Sequence, residues 1–244
     1  MKDYEPLRSF DEEAAEIYDD VDARPDTGAT VAFLERLARD GPALELAVGT
    51  GRVALPLSAR GVRVDGIDLS RAMVAKLRAK PGGDKISVTI GDFADVPVPG
   101  RYRLVYLVYN TLFNLLTQDD QVRCFENVAA HLMDDGLFVV EAFVPDFLKR
   151  LRNEQYVDAE AVGVDEVRLD VGRHDSVAQR LDESHVHLTR KGVRLYPIVC
   201  RYAWPSEIDL MARIAGLRLK ERWAGWGREV FCATSATHVS VYGR

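Results

Sequence analysis

Between residues 43 and 143, short apolar runs alternate with amphipathic stretches, and this alternation constrains the fold more than any other feature of the 244-residue chain. The runs Ala43–Val48, Val62–Ile67, Ile86–Ile90, Tyr102–Tyr109 and Leu137–Phe143 read as strands. The stretches Arg52–Arg60, Ser70–Lys80 and Gln118–Leu132 between them read as helices, with Ser70 as a cap and Pro81-Gly82-Gly83 as a stop. Strands that alternate with helices form a parallel sheet covered on both faces. Tyr102–Tyr109 is apolar at successive positions, as a central strand of such a sheet requires. An acidic helix over Ser9–Val21, a turn at Arg24-Pro25-Asp26-Thr27-Gly28 and a helix over Ala29–Asp40 precede this core.

Beyond residue 145 the pattern changes. Residues 146–160 are mixed, and Val164–Val171, Val177–Thr189 and Val193–Trp204 alternate with period two, as in a three-stranded antiparallel meander. Pro205-Ser206 then opens a helix over Glu207–Ala215, Gly216 stops it, and Leu217–Trp223 and Thr237–Tyr242 close the chain as strands. The reading divides the chain into a ligand-binding α/β core with N-terminal helices over 1–145, a β insertion over 146–204, and closing elements over 205–244. The insertion serves as a cap or as a contact between two copies.

Lys and Arg number 32 against 38 Asp and Glu, a net charge of −6, so no counterion-release energy favours nucleic acid. Cys124, Cys200 and Cys232 fit no zinc, redox-pair or iron–sulfur spacing and read as reduced thiols of a cytoplasmic protein. The polar, acidic start Met1-Lys2-Asp3-Tyr4-Glu5-Pro6 does not read as a secretory signal. Leu104–Leu116 is broken by Asn110 and Asn114 and is too short to span a bilayer. Neither nucleic acid nor membrane is an expected partner.

The segment Ala43-Leu44-Glu45-Leu46-Ala47-Val48-Gly49-Thr50-Gly51-Arg52 places glycines at a strand-to-helix turn, where bare backbone approaches a ligand closely. Gly49-Thr50-Gly51-Arg52-Val53-Ala54 alone also fits the GxGxxA dinucleotide pattern, or a tight turn with no ligand. Glu45 argues against a dinucleotide: a carboxylate in a buried strand needs a cation or strong donors, and phosphates would be repelled. Asp68, at the end of the second strand, stands where a carboxylate accepts ribose hydroxyls, or it is a turn acid near the next cap. Gly91-Asp92-Phe93 follows the third strand. Asp92 can accept from an adenine amino group and Phe93 can pack on the ring.

The order Glu45-x-Ala47-x-Gly49-x-Gly51, then Ile67-Asp68-Leu69-Ser70-x-x-Met73, then Gly91-Asp92-Phe93, resembles the class I S-adenosylmethionine-dependent methyltransferases over about residues 43–143. The family's first glycine is Ala47 here. The resemblance implies a Rossmann-like, doubly wound seven-stranded sheet with its last strand antiparallel, and S-adenosylmethionine across the first strand's edge. It implies Gly49 and Gly51 at the methionine portion, Glu45 near its amino group and Asp68 on the ribose. Leu69 and Met73 would flank the adenosine, and Asp92 and Phe93 would hold the adenine. Met73 with Val74 and Leu77 equally reads as helix core. Tyr18-Asp19 on the first helix resembles a small-molecule subgroup whose aromatic folds over the cofactor, with Arg24 in the turn behind it. The layout of the insertion resembles the amino-sugar N-methyltransferases.

An acceptor is expected above the tips of strands four and five, where open α/β sheets bind ligands. Tyr109 or Phe113 could present a ring to the sulfonium, or Phe113 packs in the core. Asn110 and Glu141 stand at the same tips. Asn110 is neutral where metal-dependent relatives carry an acid, so no metal is expected, and Tyr109-Asn110-Thr111-Leu112 lacks the Asn/Asp-Pro-Pro-Tyr of nucleic-acid amino-methylating enzymes. His185 and His187 share a strand face, with Tyr196, Tyr202 and Trp204 near in sequence; the histidines read as ligands, as a base, or as surface residues. His131 is expected at the far edge of the sheet. No convincing base is visible for a hydroxyl acceptor, which favours an amine or an acidic hydroxyl. The reading is a small-molecule methyltransferase, possible as a homodimer; the rivals are a nicotinamide oxidoreductase and a non-catalytic cofactor-binding protein.

Overall fold

Five parallel strands stand where the apolar runs lie: β1 (Ala43–Leu46), β2 (Val64–Asp68), β3 (Ser87–Ile90), β4 (Tyr102–Leu107) and β5 (Leu132–Phe143). The computed structural model describes residues 1–2, 4–21, 25–149 and 151–244. The helices are α1 (Glu12–Val21), α2 (Thr27–Ala38), α3 (Ala54–Ala59), α4 (Arg71–Ala79), α5 (Gln118–His131) and α6 (Pro205–Ile214). Polar side chains start two of them: Ser70 Oγ accepts from Met73 N at 3.2 Å and Thr117 Oγ1 accepts from Asp120 N at 3.1 Å. A short 3-10 turn over Pro6–Phe10 precedes α1, so the expected start of that helix at Ser9 moves to Glu12.

The order across the main sheet is β3-β2-β1-β4-β5-β11-β10, with β10 at Arg218–Trp223 and β11 at Thr237–Gly243. The β11 strand runs antiparallel to both neighbours, and the rest of the sheet is parallel. This is the expected seven-stranded sheet with its last strand reversed. Strand order switches direction between β1 and β4, which opens a crevice above their carboxyl ends. Phe125 and Phe138 fill one face of the sheet, and Phe33, Leu34, Tyr106 and Trp226 fill the other. His131 bonds the carbonyls of Asn127 and Val98 at 2.8 and 3.0 Å, on the side of the sheet away from the crevice. Among the described residues, no helix is long and apolar enough to cross a membrane.

The insertion has four strands, not three: β6 (Gln155–Val162), β7 (Glu166–Asp175), β8 (Arg180–Thr189) and β9 (Gly192–Arg201) form an antiparallel sheet in that order. The first strand escapes sequence reading because its register shifts between Ala159 and Ala161, which interrupts the period-two pattern. One face of this sheet begins in the core with Leu181 and Cys200 and continues outward through Glu183, His185 and His187 on β8. The opposite face presents the cross-strand rows Ala159–Leu169–Val186–Leu195 and Val162–Val167–Leu188–Val193. The sheet is tied down at its base. Arg201 donates to Gln121 Oε1 at 2.6 Å and Glu207 Oε1 at 2.7 Å, and Gln121 returns a bond to the Arg201 carbonyl at 2.8 Å.

The turn after β1 alternates its backbone hand, with φ of 55° at Ala47, 55° at Gly49 and 82° at Gly51. Glycine adopts this region freely; an alanine there carries a steric cost. The Ala47→Gly variant is therefore expected to gain about 0.5–1 kcal/mol of stability after the larger unfolded-chain entropy of glycine is counted. Urea unfolding of the two proteins checks this, and a loss of stability would contradict the strain.

Candidate active site

The glycine turn lies between two buried acids, one bonded to the turn itself and the other to the elements on either side of it. Asp68 Oδ2 accepts from Gly49 N at 2.7 Å and Oδ1 accepts from Ser70 N at 2.8 Å. Glu45 accepts from the Tyr106 hydroxyl at 3.0 Å and from the backbone of Ala54, at the start of α3. Burial pushes the Glu45 carboxyl up to about 8, against the opposing pull of Tyr106, the Arg52 charge and the Ala54 amide; the charge of Asp68 adds to the rise. Asp68 is also raised by burial, with the Ser70 and Gly49 amides pulling the other way. The two carboxylates thus feel one another at one end of the sheet. Among the described residues, no atom lies within 4 Å of where a Cβ on Gly49 would stand, so the turn is bare on its outer side.

The α1 helix is strapped to this turn. Asp19 Oδ1 accepts from Thr50 Oγ1 at 2.6 Å, and Asp19 pairs with Lys80 at 2.6 Å while Lys80 also donates to the Thr50 carbonyl at 2.8 Å. Tyr18, next to Asp19, is half-buried; Arg24 lies outside the described residues. Ser70 Oγ donates to the Phe10 carbonyl at 2.6 Å, which joins the N-terminal turn to the tip of β2. An open cavity of about 540 Å³ lies there between Leu7, Phe10 and Glu13 on one side and Leu69 and Arg71 on the other. Leu69 faces it with 45% of its surface exposed.

The tip of β3 joins the same edge, with Gly91 N donating to the Asp68 carbonyl at 3.0 Å. Asp92 Oδ1 accepts from Ala94 N at 2.8 Å, and Phe93 packs half-buried on the core. Met73 is buried in α4.

Above β4, Tyr109 and Asn110 both hold left-handed backbone, with φ of 59° and 62°. Glu141 fixes this tip: its carboxylate accepts from Tyr109 N at 2.7 Å and from Trp226 Nε1 at 3.0 Å. Asn110 Oδ1 in turn accepts from Phe143 N at 2.7 Å. The Arg52 guanidinium stands 5.7 Å over the Tyr109 ring. Phe113 is fully buried, edge-on to Phe143 at 4.8 Å. Sequence reasoning missed Trp226, which lies in an irregular segment with no periodic signal.

Tyr202 is separated from His185. It is buried beside Phe147, ring centroids 5.4 Å apart, and its hydroxyl meets His174 Nε2 at 3.0 Å. His185 lies further out on the same sheet face, bonded through Nδ1 to Asp170 at 2.6 Å, and that bond raises its pKa. Donor atoms of Asp170, Glu183 and His185 lie within 4.8 Å of one another, and Tyr156 donates to Glu183. Asp170, Glu183 and Tyr156 carried no signal of their own in sequence, since cross-strand register alone brings them to His185.

A family model described as a methyltransferase domain matches residues 43–136. The chain is similar to the solved CcbJ methyltransferase from Streptomyces caelestis, with 39% identity, a TM-score of 0.91 and coverage of 98% of this chain and 99% of that one. It is 28% identical over 143 residues to the dTDP-3-amino-3,6-dideoxy-alpha-D-glucopyranose N,N-dimethyltransferase of Streptomyces fradiae, covering 56% of this chain and 55% of the relative. The matched region is thus about half the length of the curated relatives. In fold it is similar to CalS10, an amino pentose methyltransferase from Micromonospora echinaspora solved with S-adenosylmethionine bound, at 21% identity, 90% coverage of each chain and a TM-score of 0.66. Near end-to-end agreement with CcbJ, over a sheet whose first turn is held by the buried Asp68 carboxylate, is what membership of one family looks like, and the chain belongs to the class I S-adenosylmethionine-dependent methyltransferases.

Proposed function

We propose that the chain methylates a nitrogen of a small polar acceptor, an amino sugar or a related natural-product amine, that binds above the tips of β4 and β5 and beneath the β6–β9 sheet. The observation that carries the reading is the convergence of Glu45 and Asp68 on one glycine turn. Two carboxylates suit an ammonium-bearing nucleoside and repel the pyrophosphate of a dinucleotide.

In this reading Asp68 accepts the ribose hydroxyls with the lone pairs that Gly49 and Ser70 leave free. Glu45 faces the amino end of the cofactor, and Gly49 lets the backbone approach it. Tyr18 covers the cofactor from α1, Leu69 lines the adenosine, and Asp92 and Phe93 hold the adenine edge and face. When bound, the cofactor supplies a sulfonium methyl that a nitrogen lone pair displaces in line. The protein's part is to align that lone pair and exclude water. Glu141 and Asn110 set the β4 tip by holding the backbone of Tyr109 and Phe143, and Phe113 and Tyr202 support the floor from within the core. The polar face of β6–β9, with Tyr156, Asp170, Glu183 and His185, offers acceptors to the hydroxyl and ammonium donors of an amino sugar. The names of the Streptomyces fradiae and Micromonospora echinaspora relatives point to the same acceptor class.

The direct test is incubation with S-adenosylmethionine and a panel of amino sugars, cyclic amines and matched hydroxyl analogues, read by mass spectrometry. Methyl gain confined to the amines supports the proposal, and gain confined to the hydroxyls overturns it.

Asp68→Asn keeps the shape of the turn and loses the charge. It is expected to weaken cofactor binding about 10- to 100-fold in calorimetry, the range for a lost charged hydrogen bond. Unchanged affinity would remove Asp68 from the ribose.

The folded pKa of Glu45 is raised, so its stabilising neutral form is fully present below the unfolded value of 4.5 and is lost as pH rises through about 8. Glu45→Gln is therefore expected to melt higher than the wild type above pH 8 without cofactor, and level with it at pH 5. Cofactor affinity should rise with pH through about 8 in the wild type and stay flat and weaker in the variant. A parallel pH dependence in both proteins would refute this role.

Glu183→Gln with His185→Asn is expected to raise the acceptor KM several-fold and leave cofactor affinity unchanged. An unaltered KM would place the acceptor elsewhere.

A further inference from the structure

The inward face of the β6–β9 sheet changes sign along its length. Strand register sets Asp158, Asp170, His185 and Tyr196 in one cross-strand row, and Arg168, His187 and Arg194 in the next row out. Rows on one face are two residues apart, about 6.8 Å along the strands, and neighbours within a row stand about 4.8 Å apart. Basic side chains set side by side in a row disfavour one another, and the fold does little to offset this. Among the described residues, the only ion pair of Arg168 is with Glu166, at a loose 3.9 Å. Its Nε is buried without a hydrogen-bond partner, a costly state for a donor. Arg194 is exposed and bonds the Tyr196 side chain, and His187 stands edge-on to the Tyr196 ring with centroids 5.2 Å apart. Other arginines of this sheet are treated differently: Arg180 meets Asp182 at 2.9 Å, and Arg190 pairs closely with Asp165.

The row also has a place over the crevice. The charge of Glu13, on α1, reaches Arg194. The same helix is strapped to the glycine turn through Asp19. Six residues of helix separate Glu13 from Asp19, so the basic row lies on the order of 10 Å along α1 from the glycine turn.

We propose that Arg168 and Arg194, with His187 between them, form a subsite for a carboxylate that the acceptor carries at the end away from its reacting amine. The proposal rests on the acceptor binding beneath the β6–β9 sheet, and it names the class of acceptor: an amine with a distal acid group. The planar fork of an arginine meets a carboxylate in two parallel bonds, and Nε of Arg168 with a terminal nitrogen offers such a pair of donors. The neighbouring row decides the size of the charge. A dianionic phosphate would lie about 6.8 Å from the row of Asp158 and Asp170, and Glu160, whose charge is felt at His185, adds a third carboxylate. A single negative charge is balanced by the guanidiniums, while the acidic row suits the hydroxyl and ammonium donors of the rest of the acceptor. A simple α-amino acid, with amine and acid on one carbon, is too short to reach from the glycine turn to this row.

Calorimetry on the protein loaded with S-adenosylhomocysteine tests the subsite, because it reads binding apart from turnover. The probes are three glycosides of glucosamine whose four-carbon arms end in a carboxylate, a carboxamide or a phosphate monoester. The carboxylate is expected to bind at least about 10-fold more tightly than the carboxamide, and the phosphate more weakly than the carboxylate. Arg168→Met and Arg194→Met are each expected to erase the difference between carboxylate and carboxamide. Arg194 is exposed, so its variant carries the test if Arg168→Met unfolds. Equal binding of carboxylate and carboxamide by the wild type, or binding of neither, overturns the proposal. So does a preference that survives in the arginine variants, or a phosphate that binds more tightly than the carboxylate. Methyl transfer to the carboxamide, read by mass spectrometry, reports on amine methylation separately: its absence counts against the proposed function, while the difference between the two arms judges the subsite.

Discussion

Glu45 sits in the middle of a seven-stranded sheet with 3% of its surface exposed, and much of the crevice is arranged around the cost of keeping it there. A buried carboxylate is tolerated only with donors or with its proton. Tyr106 and the first turn of α3 supply donors, and burial still leaves the proton bound to about pH 8. Asp68 adds a second carboxylate to the same turn, which raises the cost further. A fold optimised for stability alone would place a leucine or valine at position 45. In the proposed function a cationic ligand at the mouth of the crevice reverses the sign of that cost. The binding of such a ligand and the ionisation of Glu45 are then one coupled event, since each favours the other.

The acceptor side rests on a different economy. Tyr109 and Asn110 occupy left-handed backbone in succession, a conformation that costs each of them steric energy. The Glu141 carboxylate bonds the amide of Tyr109 and the indole of Trp226, so one side chain links the β4 tip to the segment between β10 and β11. Asn110 completes the latch through Phe143 N. These residues stand at the expected acceptor position, yet their polar atoms face the protein. Their bonds keep the tip still, and the proposed function assigns the acceptor's polar contacts to the insertion instead.

The parallel core was legible because its signals are local. A run of apolar residues, a capping serine and glycines at a turn each report on a few neighbouring positions, and Glu45, Asp68 and Gly49 are all read that way. Met73 and Phe113 were ambiguous for a physical reason: an apolar residue next to a site has the same signature whether it touches a ligand or the core. The insertion was less legible. A bulge in β6 hid one strand, and the partners of His185 lie on other strands, reached only through register. Tyr202 lies just past the end of β9, at the base of the insertion, and proves to belong with His174 and Phe147. Trp226 had no pattern to reveal it.

The two faces of the insertion explain one another. If the sheet roofs a chamber for a polar acceptor, as the proposed function has it, its polar side chains must turn inward, toward the site. Period-two alternation then forces the apolar side chains outward, because every residue turned in sends its neighbour out. The strands cannot satisfy the chamber and the solvent at once, and the conflict is largest where the chamber-facing residues are most polar, at Asp170, Glu183 and His185. Had the outward positions been lysine and glutamate, the outer part of the sheet would be polar on both faces, with little but backbone bonds to hold it together beyond Leu181, Ile198 and Cys200. The apolar outer rows therefore supply cross-strand cohesion where the inner face is most polar.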